Sequence, residues 1–481
     1  MMHTRRSFLK SSIATVSALS LPASLYSAAE GANDDIRIGI VGFNGRGQDH
    51  IGNYLNCKGA RIVALCDVDS AVLDKGVAQL ATKGHNATPY ADVRKMLESK
   101  EIDVISIATP NHWHALSAIW AIQAGKDVYV EKPVSHNVWE GRQLVKAAAV
   151  HQRIVQMGVQ SRSGAGIAQA LEWVKNEPLG KLQYARALCY KRRPSIGMVN
   201  GPQAAPATVD YDLWCGPAAK LPLTRSRLHY DWHWVWNTGN GDLGNQGIHQ
   251  MDIARRFLGE EALSPGVFAI GGRLGYLDDA ETPNSLIVFH DYKKAPLIFE
   301  VRGLPSASDA KGMDKYRGAS VGVIVQYENG HILCPDYDNA IAFDANGKEL
   351  KKFSPPSSGS HYANFLHAVR SRKTADLHGK ILDGHISSAL CHTGNIAYRL
   401  GKKSPPGEIA EKIKGNQDAK DSFDRLTTHL AANKIDLTTE QLTFGTHLQF
   451  DPTTEKFIGN PDADHLLTRE YRGSFVVPEK V

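Results

Sequence analysis

The sequence predicts an α/β Rossmann domain (a doubly wound parallel sheet) followed by an α+β domain with a large, mostly antiparallel open sheet. Three observations carry this prediction. Short apolar runs rich in β-branched residues alternate with helical patterns through the first 158 residues, as in parallel strands joined by crossover helices. The first run, residues 35–41, ends in Gly42-x-x-Gly45-x-Gly47, and a helical pattern from Gln48 to Leu55 follows. From Leu182 onward the apolar runs lack intervening long helices, which is the pattern of antiparallel pairing.

A chain of 481 residues is long enough for two domains. The formal charge of +5 is small for this length, so neither a nucleic-acid partner nor stable membrane insertion is expected. Six scattered cysteines show no C-x-x-C or zinc spacing and read mainly as reduced core residues, with one disulfide left open. Thr4-Arg5-Arg6-Ser7-Phe8-Leu9-Lys10 resembles the twin-arginine export motif at each position of S/T-R-R-x-F-L-K. An apolar stretch too short for a stable span, residues 13–25, and small residues at Ser27-Ala28-Ala29 follow. Residues 1–33 are therefore read as signal peptide and linker. The resemblance implies export in folded form, through the twin-arginine machinery, to the periplasm or the exterior. Residues 34–158 are assigned to the Rossmann domain and 159–400 to the α+β substrate and oligomerisation domain. Residues 401–481 are read as an extension packed on the second domain.

Strand, glycine turn and helix form the context of a phosphate-binding turn. Backbone N–H groups approach a pyrophosphate there, and the helix N-terminus adds partial positive charge. Gly42, Phe43, Asn44, Gly45, Arg46 and Gly47 are the candidate binding residues, with Asn44 at the usual middle glycine. The next strand, residues 60–66, ends at Asp67, about 20 residues past the turn, where a carboxylate accepts from ribose hydroxyls. An acid there favours NAD over NADP, since a 2′-phosphate would be repelled. Helices are expected at 71–80, 92–99 and 115–124. A buried strand at 103–108 ends in Thr109-Pro110-Asn111-His112-Trp113-His114, and another runs directly into Glu131-Lys132-Pro133.

Glycine turn, Asp67, Thr109-Pro110-Asn111-His112-x-His114 and Glu131-Lys132-Pro133, in that order, resemble the glucose–fructose oxidoreductase/inositol dehydrogenase/MocA (Gfo/Idh/MocA) family. The resemblance spans the Rossmann domain. It implies cofactor contacts from Thr109, Pro110, Asn111, His114, Glu131 and Lys132, a proline that is often cis, and a lysine touching both nicotinamide and substrate. A partly desolvated Lys132 beside oxidised nicotinamide has a lowered pKa, suited to taking a hydroxyl proton.

In the second domain the family's D-x-G-x-H element begins a helix aimed at the substrate. Here His249 matches, whereas Asn245 replaces the aspartate and cannot act as a base. Asp242 or Asp252 is then a candidate substitute. His229-Tyr230-Asp231-Trp232-His233-Trp234-Val235-Trp236, if extended, would put its three tryptophans on one face. Trp232 and Trp234 are then either sugar-stacking walls or core packing. His229, Asp231 and His233 lack an obvious further ligand, so no metal is expected. Arg162 and Arg192-Arg193 are further polar candidates for the substrate, or structural residues.

The expected chemistry is hydride transfer between NAD and a secondary alcohol of a sugar or glycoside, with Lys132 or His249 taking the proton. Export implies a resident cofactor that must be restored within each cycle. Either a second sugar is reduced, or a glycoside is transiently oxidised, undergoes elimination and hydration, and is reduced again; a simple dehydrogenase coupled to an unknown acceptor is the third possibility. A sugar-binding protein with a degenerate cofactor site is the reading from another class. A homo-oligomer is expected from the family's sheet.

Overall fold

The computed structural model describes residues 35–176, 179–356 and 359–481. The export motif and the apolar stretch behind it lie outside the described residues. Six strands form the first sheet: β1 (Ile36–Val41), β2 (Ala60–Cys66), β3 (Thr88–Tyr90), β4 (Val104–Ile107), β5 (Asp127–Glu131) and β6 (Val155–Gly158). Their order is β3-β2-β1-β4-β5-β6, and every pairing is parallel. Strand order reverses between β1 and β4, which opens a crevice beyond the carboxyl ends of both. Ile38, Ile40, Leu65, Ile105 and Val130 are fully buried, as two helix-covered faces require.

Side-chain caps fix where the crossover helices start. Asp69 accepts from Ala71 N to open the helix Ser70–Thr82, and Asn137 accepts from Glu140 N at Val138–Val150. The helix expected from residue 115 starts at Asn111 instead. Pro110, with φ −58°, stands at the N-cap, and the helix opens four residues before the apolar pattern begins. Asn111, His112 and His114 thereby sit in the first turn, beside the crevice.

The second sheet has twelve strands among the described residues. Its main strands are β7 (Leu182–Tyr190), β8 (Gly266–Gly272), β9 (Ser285–His290), β10 (Leu297–Arg302), β11 (Val321–Tyr327) and β12 (Gly330–Cys334). All pair antiparallel except β7 with β10, so the sheet is mixed but mostly antiparallel. Alternation sorts its side chains. Leu297, Phe299 and Val301 join the core with the helices Ile248–Leu258 and Ile381–Arg399. Ile298, Phe289 and Ile270 face the other way and meet Ile409, Phe423 and Leu426 of the helices Pro406–Ile413 and Gln417–Ala432. The chain's own residues beyond 400 therefore cover much of the outer sheet face.

Two segments tie the halves together. Between β7 and the helix Ile248–Leu258 the chain makes an excursion back to the crevice. There Ser70 N donates to Thr208 O (2.9 Å), Asp210 N to Val68 O (3.0 Å) and the Trp113 indole to Leu213 O (3.0 Å). The tail then latches this excursion from outside. Arg472 donates to Asp212 Oδ1 (2.8 Å) and O (2.7 Å), and to Gly216 O (3.1 Å). Phe475 meets Trp113 edge-on at 5.6 Å, and Arg469 donates to Asn237 O at 2.8 Å.

The tryptophan-rich stretch is helical, which corrects the extended reading: Leu228–Asp231 is a short helix and Trp232–Trp234 a 3₁₀ turn. An i,i+4 ion pair between Arg227 and Asp231 and the Trp232 indole bond to His229 O (3.2 Å) hold the turns. The six cysteines are free. No helix among the described residues is long and apolar enough to cross a membrane.

Candidate active site

A cavity of about 370 Å³ runs along the crevice. Gly42, Phe43, Asn44, Gly45 and Arg46 line one wall, and Asp67 lies at one end. Gly42 has φ +74°, and a Cβ there would sit 2.8 Å from the Thr109 backbone, so only glycine fits. Gly47 does not face the cavity. It packs on the turn, where a Cβ would come within 2.2 Å of Gly42 O. The helix Arg46–Leu55 has no side-chain cap, so its first N–H groups open onto the cavity. A Cβ on Gly45 would meet nothing within 4 Å, leaving backbone accessible where Asn44 replaces the usual glycine.

Asp67 accepts from Phe43 N (3.2 Å) and Asp69 N (3.1 Å), which aims its carboxylate across the end of β2. Burial pushes its pKa up, against those N–H bonds. His229 donates to Asp69 Oδ2 across 2.8 Å and lines the same end. Leu213 and Trp214 of the excursion close over it, beside Val68 and Val93. Thr109, Pro110, Asn111 and His114 line the far wall, and Thr109 Oγ1 is buried without a partner. Free helix N–H groups, a ribose-side carboxylate, an apolar slot and an orphaned hydroxyl together fit a dinucleotide.

At the opposite end Glu131 and Lys132 line the cavity with Tyr230, Trp232, His233 and Asn245. Glu131 is buried; it accepts from Arg46 Nε (2.9 Å) and Gln160 Nε2 (3.3 Å) and lies 3.2 Å from His50 Nε2. Burial opposes its charge, but His50 and Arg46 hold it well below the usual carboxylate range. Glu131 therefore anchors Arg46, and its oxygens are largely taken. The Lys132–Pro133 peptide is cis, and His114 bridges Pro133 O (2.6 Å) and Thr109 O (2.7 Å) behind it. Lys132 Nζ donates to Asn245 O at 2.5 Å. Burial pushes its pKa down, and Arg46, Arg193 and Lys191 push the same way, against Glu131.

A second cavity of about 330 Å³ adjoins this end. It shares Arg46, Lys132, Tyr230 and Asn245 with the first and adds Gln160, Lys191, Arg193, Gln246, His249 and Tyr337. Asn245 sits in a π-helical turn, Leu243–Gly247, that bends the chain into the following helix. His249 stacks on Tyr337 at 4.5 Å, and its Nδ1 is buried without a partner. Burial first, then Lys132, lowers its pKa to about 3, so the ring is neutral at physiological pH. Tyr337 in turn accepts from Gln246 Nε2 at 2.7 Å.

Lys132, His249 and Asn245 thus share one wall, and Trp232 lies beside them. Three other candidates do not reach it. Arg162 makes ion pairs with Asp252 (2.8 Å) and Asp383 (2.9 Å), which also removes Asp252 as a substitute base. Asp242 is buried and paired with Arg193 at 2.6 Å, so it holds that guanidinium in place. Trp234 packs under Arg193, 5.2 Å from ring centre to guanidinium carbon. In each case a buried charge or ring is satisfied inside the protein. His229, Asp231 and His233 diverge onto Asp69, Arg227 and Tyr230 O. Among the described residues no group of three or more His, Cys, Asp or Glu is placed to hold a metal ion. Sequence reasoning missed Trp214, Tyr230, Lys191 and Tyr337. Lys191 follows directly on β7, Tyr337 sits in the short turn after β12, Trp214 comes from the excursion, and Tyr230 lies within the tryptophan-rich stretch, so none stands in a motif of its own.

Two family models match this chain. Residues 36–159 match the oxidoreductase family's NAD-binding Rossmann fold, and residues 195–290 match its C-terminal alpha/beta domain. A glycosyl hydrolase family 109 protein of Shewanella sp. (strain W3-18-1) is 31% identical over 159 residues, 32% of this chain and 35% of that protein. The inositol 2-dehydrogenase/D-chiro-inositol 3-dehydrogenase of Shouchella clausii is 32% identical over 156 residues, 32% of this chain and 44% of that protein. The chain therefore spans less than half the length of either curated relative. Among solved structures, the WlbA dehydrogenase of Bordetella pertussis, in complex with NADH and UDP-GlcNAcA, is 20% identical. It superposes with a TM-score of 0.54 over 74% of this chain and 94% of that one, a likeness of fold. Residues 36–159 and 195–290 are thus similar to the two domains of the Gfo/Idh/MocA oxidoreductase family.

Proposed function

We propose that the protein is an NAD-dependent oxidoreductase acting on a secondary alcohol of a sugar or glycoside. The observation that carries this reading is Lys132, the buried lysine at the junction of the dinucleotide-shaped and the polar cavity. The dinucleotide supplies hydride acceptance and return. The chain's residues orient the alcohol and hold its proton. Lys132 Nζ, with its lowered pKa, accepts the hydroxyl proton, and Asn245 fixes the ammonium through its carbonyl. Neutral His249, stacked on Tyr337, offers a ring nitrogen to a neighbouring hydroxyl. Asp67 favours NAD, since it would meet a 2′-phosphate with like charge.

The excursion that roofs the adenosine end supports a tightly held, recycled cofactor, as expected of a protein exported folded and restored within each cycle. The glycosyl hydrolase family 109 relative favours a second reading with the same residues. In it a glycoside is oxidised, which acidifies the adjacent C–H. The leaving group departs by elimination, water adds to the double bond, and the ketone is reduced. Assembly as a homo-oligomer belongs to the same proposal.

Mass spectrometry of the folded, undialysed protein tests the first reading, since absence of any nicotinamide dinucleotide would sink it. Incubation with a nitrophenyl glycoside, without added cofactor, separates the two. Nitrophenol release that disappears in Lys132→Ala supports transient oxidation, whereas oxidised sugar without aglycone release supports the dehydrogenase.

A further inference from the structure

The second cavity is unusually cationic for a sugar site. Arg46, Lys132, Lys191 and Arg193 line it, and no aspartate or glutamate does. The carboxylates that balance two of these charges lie behind the wall. Glu131 holds Arg46 at 2.9 Å, which also pairs with exposed Asp49 outside the cavity lining, and Asp242 holds Arg193 at 2.6 Å. Glu131 and Asp242 are buried, so a molecule in the cavity meets the guanidinium side of those pairs. Lys191 has no carboxylate within ion-pair distance among the described residues. Lys191 and Arg193 also line only this cavity and not the dinucleotide-shaped one, so their charge is not aimed at a pyrophosphate. Around them Gln160, Gln246 and Tyr337 supply neutral hydrogen-bonding groups of the kind that match hydroxyls.

We infer that the substrate is an acidic sugar: a carboxylate or sulfate ester on the ring seats between Lys191 and Arg193 while the reacting hydroxyl lies at Lys132. The inference rests on the reading above only for which end of the cavity reacts. Lys191 is exposed, so beside a neutral sugar its charge is left to solvent, whereas an anion gains charge-assisted bonds to it and to buried Arg193. The same cations crowd Lys132 and help depress its pKa, so a bound anion would relieve part of that repulsion.

The full chain, isolated with its dinucleotide, is titrated calorimetrically with sodium sulfate, D-glucuronate and D-glucose at equal ionic strength. At least one anion is expected to bind saturably and about tenfold or more tighter than glucose. That advantage should vanish in Lys191→Gln and survive in Lys191→Arg, as removal of one charge-assisted contact requires. Preference for sulfate would assign a sulfate ester, and preference for glucuronate a carboxylate. Absence of saturable binding by both anions, or binding unchanged in Lys191→Gln, overturns the inference. Dinucleotide content measured on the same samples reports on the redox reading separately.

Discussion

Lys132 concentrates the chemistry in one side chain, and its environment sets a sign that pH can test. A base must be deprotonated to accept a hydroxyl proton, so kcat/KM for alcohol oxidation should rise with pH. The midpoint should fall below the ordinary lysine range, because burial and three neighbouring cations disfavour the ammonium. Lys132→Met should lower kcat by about 10²–10⁴ and erase that limb while leaving bound dinucleotide unchanged by mass. His249, held neutral with a pKa of about 3, contributes no titration between pH 5 and 8. A limb near pH 6.5 that vanished in His249→Gln would reassign the base. At this scale the sequence was highly informative wherever a residue belongs to a strand end or a turn. Twelve of the thirteen cofactor candidates line the cavity, and Gly47 supports the turn from behind. Arg162, Asp242 and Trp234 misled because residue type alone does not reveal which charges and rings are already satisfied inside.

Among the elements, the tail and the excursion matter most to the cavity. Arg472 binds the short helix Tyr211–Cys215, which carries Leu213 and Trp214 over the dinucleotide cavity. Arg472→Ala should therefore speed dinucleotide loss on dialysis while near-native circular dichroism is kept, and mass spectrometry of retained cofactor checks it. Glu455 fastens the start of the tail to Arg142 and His385. Burial opposes its ionisation, but these two partners hold its pKa down at about 2. A depressed carboxyl stabilises the fold above its unfolded pKa and loses that contribution as pH falls toward the folded value. Hydrogen-exchange protection in residues 455–475, taken relative to the intrinsic rate at each pH, should accordingly fall between about pH 4.5 and pH 2, and a Glu455→Gln variant should show that looser tail at neutral pH. The helical form of 228–234 was hidden from sequence because alternating Trp-His-Trp carries a period of two. Local bonds to His229 O and Tyr230 O outweigh that pattern.

For the whole molecule, the Rossmann half was legible nearly strand by strand, because parallel buried strands are short, apolar and bounded by turns. In the second sheet the apolar runs at 182–190, 266–274, 285–290, 295–302 and 321–327 were legible as strands, whereas the hairpin strands after residue 330 and the short strands beyond 400 were not, nor was the sheet face on which the extension packs. That cover is fastened by polar chemistry as well as packing. Buried Glu300 accepts from Arg425 Nη1 at 2.8 Å and from Ser422 Oγ at 2.8 Å, with Arg186 Nε 3.5 Å away. Arg425→Met should cost about 1.5–3 kcal/mol in denaturant unfolding, since it strips charged hydrogen bonds from a buried carboxylate. A smaller added loss in Glu300→Gln/Arg425→Met than the two single variants sum to would show that they act as a unit. A solution mass measurement tests the proposed homo-oligomer; much of this sheet face is clothed by the chain's own helices.

The roof over the crevice has a consequence for biogenesis. Chain order is groove, then roof, then latch, with some 400 residues between Gly42 and Arg472. A ribosome therefore delivers a dinucleotide groove long before anything can close over it. Under the proposal of a resident dinucleotide and export in folded form, loading and final folding would be one event, completed before the chain crosses a membrane.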